Sequence, residues 1–300
     1  MKSYIPPHRL QQLKELGAIY TISCFGKEYS CLDHKDNRCW RGFFSLFLQV
    51  AYGIQFAKKL DIPYQVDFAN LTHSYTDQQR HPNFWDAYFD MPEMVGTHKV
   101  LNIPSENYPL KIWDKGYFRK LHNEAITDIK LKPGLKEFIS DFKKQWEGLN
   151  VLGIHIRKTD HYREIPPAGD ETYFKLVSKH INRFDKLFIA TDDREILEEF
   201  KSRYPQKTVC HDFLRSSGDQ ALHLSAGIDN PYELGRQAVL DCYTLAACSS
   251  LILSPSNLSY AALLINPDVL YQLAESPQAG NQRRKTLMLY HLDKWGIRKW

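Results

Sequence analysis

What the 300-residue chain lacks narrows its class first. No segment offers the roughly 20 consecutive apolar residues that a bilayer crossing takes. The longest apolar run, FFSLFLQVAYGIQFA at 43–57, is shorter and is broken by Ser45 and Gln49. The opening stretch, MKSYIPPHRLQQLKELG, has no apolar centre of the signal-peptide kind. A cytoplasmic protein is expected, with peripheral membrane contact left open. The six cysteines, at 24, 31, 39, 210, 242 and 248, form no C-x-x-C pair and no zinc spacing, so reduced and partly buried thiols are expected. Strong charge of one sign is missing: the net charge is +4 with the bases dispersed, which argues against a nucleic-acid partner. There is no repeat. There is also no D-x-D, no Walker pattern and no G-x-G-x-x-G. The usual motif for metal-dependent use of a nucleotide sugar is therefore absent, and neither a metal nor a resident cofactor is expected.

What is present is the composition of an ordinary soluble globular protein, 43% hydrophobic and 25% charged. Aromatics are abundant at 13% and crowd the first 120 residues, where they suit either a core or a groove for sugars or peptides. The spacing predicts a short helix over 10–16 stopped by Gly17, a strand in AIYTISCF, a buried helix from Phe43 and a strand in DIPYQVDF. That order is the opening of an α/β unit. From 69 to 117 the pattern loosens into loops and short helices, and 124–150 reads as mostly helical, with Pro133 starting the longer helix. Beyond Asn150 the alternation is regular. VLGIHI, KLFIATDD, KTVCHD and SLILSPS read as strands, and DETYFKLVSKHINRF, REILEEFKSRY, PYELGRQAVLDCYTLAACS and NLSYAALLIN as helices. Repeated alternation implies a parallel sheet with helices on both faces, and ligands of such sheets bind at the carboxyl ends of the strands.

The polar residues gather at those ends. Arg157 follows the strand VLGIHI and offers a fixed fork of donors to phosphate oxygens. In transfer from a nucleotide sugar it would stabilise the departing diphosphate without a metal; a structural salt bridge, for instance to Asp160, is the other reading. His155 lies two residues earlier on the same side of the strand and suits either a phosphate or base contact or a satisfied core position. Asp192 and Asp193 end IATDD. Asp193 is read as the cap of the next helix, and Asp192 as either a sugar-hydroxyl acceptor or a loop anchor. Ser254, Ser256 and Asn257, in SPSN, fit both an anion site at a helix start and plain capping. The turn CWRGFF, with Gly42, is a weak phosphate signal. Glu164, in a predicted loop seven residues beyond Arg157, is a candidate general base, or an exposed loop carboxylate without a role.

GIHIRKTDH, FIATDD, SAGIDNPYE, GRQAVLD and LSPSN together occur in the order and approximate spacing of one known family. The chain resembles the nucleotide-binding half of the α1,6-fucosyltransferases, whose members act on core N-glycans and in rhizobial nodulation. The protein O-fucosyltransferases are more distant. The likeness covers about 150–266, extends weakly to 39–60, and fails over most of 69–130. It implies an α/β fold of GT-B type, two Rossmann-like domains facing a cleft, here 1–148 on the acceptor side and 149–275 binding a GDP-sugar. The tail, 276–300, is expected to pack back on the first domain. The resemblance also implies GDP-fucose as donor, a glycan acceptor, inversion at the anomeric carbon and no metal. Carried over, Arg157 would hold the β-phosphate and Asp192 would be an essential polar residue of the donor site. His155 and Asp241 would recognise the guanine and its surroundings. Ser256 and Asn257 would lie by the phosphates, with Gly42 closing over them. The chain departs from the family at Lys158, often arginine there, at His161, a lysine there, and at Asn257, a serine there. Its loop to Glu164 is one residue shorter.

Two rival functions share these features: a GT-B transferase using another nucleotide sugar, and a non-catalytic nucleotide-sugar or glycan-binding protein. The tail QRRKTLMLYHLDKWGIRKW also has the composition of an interfacial helix.

Overall fold

The computed structural model describes residues 7–23, 34–35, 38–69, 72–90, 100–101, 111–158, 167–216 and 230–297. The chain divides into two compact units. The first is Met1–Pro109 with Lys120–Lys136 and Ile228–Arg236; the second is Leu110–Arg119 with Glu137–Gly227 and Gln237–Trp300.

The elements up to residue 144 are α1 (Pro7–Glu15), β1 (Ile19–Ile22), β2 (His34–Lys35), β3 (Arg38–Cys39), α2 (Phe43–Leu60), β4 (Tyr64–Val66), β5 (Thr72–His73), β6 (Phe89–Asp90), β7 (Val100–Leu101), α3 (Lys115–Glu124), β8 (Lys130–Leu131) and α4 (Pro133–Lys144). The expected opening unit is present: β1 pairs in parallel with β4 across the connection through α2, and the small sheet runs β4-β1-β7. Phe43, Leu46, Phe47, Val50, Ala51, Ile54 and Ala57 recur at helical spacing and are buried. The helix ends on Asp61 in the left-handed region, φ 55°, whose N–H bonds back to the carbonyls of Ala57 and Lys58. Its start is tied to β1 by side chains, because Arg41 donates to Gln49 and Gln49 donates to the Ser23 carbonyl. Many of the early aromatics are core. Phe43, Phe84, Trp85, Tyr88 and Phe89 are all buried, and the Phe43 ring meets those of Tyr75 and Tyr88 edge-on, each at 5.1 Å.

The stretch 124–150 is less helical than its pattern suggests. Between α3 and α4 lie a single 3-10 turn, Ile126–Asp128, and β8, which pairs antiparallel with β6. Lys132 precedes Pro133, and a residue before proline is pushed away from the helical region. Ile126, in the turn, and Ile129, just past it, both bury their side chains there.

The second unit holds β9 (Val151–Ile156), α5 (Asp170–Ser178), β10 (Lys186–Thr191), α6 (Arg194–Arg203), β11 (Thr208–Val209), most of α7 (Pro231–Ala246), β12 (Ser250–Leu253), α8 (Asn257–Ile265), β13 (Leu270–Leu273) and α9 (Pro277–Lys294). Its five strands are all parallel, in the order β11-β10-β9-β12-β13. By position in the chain that order is 3-2-1-4-5, the doubly wound arrangement, and it reverses direction between β9 and β12. Alternate residues of β9 serve opposite layers. Leu152, Ile154 and Ile156 pack with Tyr173, Phe174 and Val177 of α5 and Ile196, Leu197 and Phe200 of α6. Gly153 faces the other layer, where an added Cβ would lie 2.6 Å from Leu251 and 3.1 Å from Leu245 of α7. That layer also sets the Phe142 and Trp146 rings edge-on to Phe188 of β10. The sheet therefore has helices on both faces, as the alternation predicts. β13, unread in the sequence, is an edge strand whose Leu270 is 70% exposed. The Cys242 and Cys248 thiols are buried, and burial holds both pKa values above the ordinary range. They are inert core groups.

Candidate functional site

The reversal point of a doubly wound sheet leaves a crevice at the carboxyl ends of its two diverging strands. Here those strands are β9 and β12, and the residues that follow them are the ones the sequence singled out. Register places His155 beside both Ala190 and Leu253, so Arg157 emerges between the ends of β10 and β12.

The backbone at Arg157 is fixed from β12. Its N–H donates to Ser254 Oγ at 2.9 Å, Ser254 Oγ donates to the His155 carbonyl at 3.0 Å, and the Ser254 N–H donates to the same carbonyl at 3.0 Å. The Tyr173 hydroxyl lies 2.9 Å from Ser254 Oγ. Burial first, then the charges of Asp170 and Asp192, push the Tyr173 phenol up to about 12 against the lowering effect of its bond to Ser254. The single Ser254 proton is committed to His155, so the neutral phenol is the donor and Ser254 accepts. All three hydrogen-bonding positions of that hydroxyl are then filled. From β10, Asp192 Oδ1 accepts the Lys158 N–H at 3.2 Å and Asp192 Oδ2 lies 3.6 Å from Arg157 Nε. The Arg157 side chain stays 29% exposed while Asp192 is 14% exposed. The arrangement presents a guanidinium whose backbone cannot swing.

Lys158 turns to the acids of the neighbouring helix starts. Its Nζ lies 2.8 Å from Asp170 Oδ2 and 3.6 Å from Asp193 Oδ2. Burial opposes its charge, but the bond to Asp170 and the charges of Asp170 and Asp193 outweigh it and raise its pKa. Asp193 is the α6 cap the sequence predicts, accepting the Ile196 N–H at 2.9 Å. His155 is buried, with Nδ1 2.7 Å from Ser259 Oγ and 3.5 Å from Ser256 Oγ. Ser256 caps α8, accepting the Ser259 N–H at 3.2 Å. That leaves the first-turn N–H groups of Asn257 and Leu258 without intrahelical acceptors, a positive end next to the strand tips.

Asn257 Oδ1 and Asp241 Oδ1 are among the buried side-chain atoms of the described residues that have no hydrogen-bond partner. Asp241 stands on α7 near Arg215, whose guanidinium is engaged with the carbonyls of Phe213 and His211. Burial pushes the Asp241 carboxyl up to about 7, with the Arg215 charge pulling the other way. A buried acceptor left open in a folded protein calls for a ligand or water.

Arg157, Lys158 and Asp192 thus meet at one edge, and His155 is bonded to Ser254 and lies beside Ser256 and Ser259 across β9, β12 and α8, while Asn257 begins α8 with its Oδ1 unpartnered. Gly42 caps α2 in the first unit with extended backbone, φ −63° and ψ 152°, and a Cβ there would meet nothing within 4 Å. Glu164 and His161 lie outside the described residues. Sequence reading missed Tyr173, Asp170 and Ser259. For Asp170 a helix-start acid beside a basic strand end was a usable signal. For Ser259 it was the S-x-x-S spacing from Ser256, and for Tyr173 there was none. Among the described residues no group of three or more His, Cys, Asp or Glu is placed to hold a metal.

No family model matches the chain. Among solved structures, the α-1,6-fucosyltransferase NodZ soaked with GDP-fucose aligns over 87% of this chain and 95% of its own, with TM-score 0.54 and 15% identity. The chain has the fold of that fucosyltransferase. A mutant of Arabidopsis thaliana FUT1 in complex with GDP aligns over 90% of this chain and 75% of its own, with TM-score 0.48 and 12% identity. POFUT1 in complex with GDP aligns over 89% and 77%, with TM-score 0.38 and 8% identity. The likeness in fold to NodZ meets the expectation of a fucosyltransferase-like fold.

Proposed function

We propose that the protein is an inverting, metal-independent glycosyltransferase that moves fucose from GDP-fucose to a glycan hydroxyl. It would use a GT-B-type arrangement in which 149–275 binds the donor and 1–148 the acceptor. The observation that carries this reading is Arg157, fixed through Ser254 and Asp192 at the reversal point of the parallel sheet. A likeness in fold to an enzyme soaked with GDP-fucose supports the choice of donor.

In this reading the acceptor oxygen attacks the anomeric carbon of fucose from the face opposite the diphosphate. The carbon–oxygen bond to the β-phosphate breaks, the configuration inverts, and the acceptor proton passes to a carboxylate, for which Glu164 is the candidate. Negative charge grows on GDP as it leaves. Arg157, with Lys158 and the first-turn N–H groups of α8 behind it, meets that charge with donors already in place, the role a divalent cation fills elsewhere. In this reading Asp241 Oδ1 accepts from guanine N–H donors, and His155, oriented by Ser259, would meet the surroundings of the same base. Asp192 holds Arg157 in register, and Ser256 and Asn257 supply the helix start by the phosphates. Gly42 would close over the donor from the N-terminal side.

Purified protein incubated with GDP-fucose and a glycan panel should release GDP equally with and without EDTA. Loss of turnover in EDTA overturns the metal-free mechanism. If GDP raises the melting temperature no more than ADP does, the guanine assignment fails. Glu164→Gln should lower kcat by about 10²–10⁴-fold with GDP affinity unchanged; full activity removes it as the base.

A further inference from the structure

Among the described residues, named contacts fix one side of helix α9. Tyr290 meets Tyr117 edge-on at 5.6 Å, His291 Nε2 lies 3.9 Å from Asp114 Oδ2, and Arg283 makes a two-point bond to Glu275 at 2.9 and 2.8 Å. Other residues of the helix are exposed. Arg284, Lys285, Met288 and Trp295 are all exposed, Met288 at 56%, Trp295 at 68% and Ile297, just past the helix, at 68%. Steps of four and seven residues place Arg284, Met288 and Trp295 on one stripe, with Lys285 alongside. The Trp295 ring is held against His291, 5.7 Å between centroids and nearly parallel at 26°. Its outward pose therefore rests on a neighbour fixed to the body of the unit.

A single exposed apolar side chain calls for no explanation. Three large ones joined to two cations do, because neither Arg284 nor Lys285 has a carboxylate partner among the described residues. The helix as a whole carries Arg283, Arg284, Lys285 and Lys294 against Asp293 alone. The order along the stripe, cations first and then thioether, indole and branched aliphatic, matches the lipid headgroup zone. There phosphates take the cations, and, with the helix tipped toward its C-terminal end, indole and aliphatic groups enter the acyl boundary. We propose that this face of α9 docks the protein on an anionic membrane surface. The apolar area is small, so the attraction depends on lipid charge, and each cation contributes about fivefold in affinity near such a surface. The inference stands apart from the donor reading and requires no turnover.

Vesicle flotation of the full chain tests it. The protein should float with phosphatidylcholine vesicles containing phosphatidylglycerol, remain at the bottom with phosphatidylcholine alone, and be released by high salt. Arg284→Gln with Lys285→Gln should weaken binding about 25-fold. Met288→Ser with Trp295→Ser should weaken it by a smaller factor at an unchanged melting temperature. Failure to float with the anionic vesicles, or equal flotation of both variants, overturns the proposal. So does a concentration-dependent dimer that Trp295→Ser dissociates, since the face would then belong to a second copy of the chain.

Discussion

The phenolic oxygen of Tyr173 and the hydroxyl of Ser254 lie 2.9 Å apart, joining α5 to the end of β12 at the residue that fixes Arg157. Tyr173 is 2% exposed and Ser254 1% exposed, so water cannot replace the bond. Tyr173→Phe keeps the ring and removes one buried donor, which costs about 1 kcal/mol of stability. If the network serves Arg157, the same change weakens GDP binding several-fold. The coupling is measurable by calorimetry as a double-mutant cycle: in an Arg157→Ala background, Tyr173→Phe should have no further effect on GDP affinity. Additive losses would show that Tyr173 supports the fold alone.

Arg157 carries the proposed chemistry, and its partners set the size of the expected effects. Arg157→Ala should lower kcat by about 10²–10³-fold, the loss that follows removal of one preorganised donor to developing charge. Arg157→Lys keeps the charge but loses the fork and the contact to Asp192 at 3.6 Å. It should recover GDP affinity better than it recovers turnover. Single-turnover rates with GDP-fucose separate the two; near-normal turnover of the alanine variant would remove Arg157 from the mechanism.

The parts of this site that were legible in the sequence are those with local physical causes. β9 was readable because VLGIHI is a short, continuous apolar run of the kind buried on both faces, and all six of its residues are buried. The start of α8 was readable because Ser256 sits three residues before the N–H it caps, and Asp193 for the same reason. What was not legible depends on partners far along the chain. The hydroxyl of Ser254 meets an N–H 97 residues earlier, so its threefold bonding is a product of strand order rather than of SPSN. The open acceptor on Asp241 depends on the packing around α7, and nothing in GRQAVLD signals it. β13 was missed because an edge strand with exposed Leu270 lacks both an apolar run and clean alternation.

Asp193 does two jobs that substitution can separate. Its Oδ1 caps α6 through the Ile196 N–H, and its Oδ2 lies 3.6 Å from Lys158 Nζ. Asp193→Ala should cost about 1 kcal/mol from the cap, read as a lower urea midpoint at constant slope. Asp193→Ser restores the cap without the charge and should recover most of that stability. Because Asp170 remains 2.8 Å from Lys158, neither change should move GDP affinity more than about twofold. A large effect of Asp193→Ser on binding would place the carboxylate in the donor site.

Asp241 makes stability and binding depend on pH in opposite directions. Burial holds its carboxyl at about 7 in the fold, while the unfolded chain ionises it near the ordinary carboxylate value of about 4. Between those values the folded protein carries a proton that the unfolded chain has lost, so unfolding releases it. Stability therefore falls as pH rises through that window, by up to about 1.4 kcal/mol per pH unit, and levels off above about 7. Asp241→Asn should flatten this slope, measured as urea midpoints from about pH 5 to about pH 8. Guanine N–H donors at Oδ1 favour the ionised carboxylate, so GDP should bind more tightly as pH rises through about 7. Calorimetry in two buffers of different ionisation enthalpy should then detect proton release on binding near that pH. Asp241→Asn should abolish the release and weaken GDP; a variant that binds GDP as tightly as the parent, with the same pH profile, would take Asp241 out of guanine recognition.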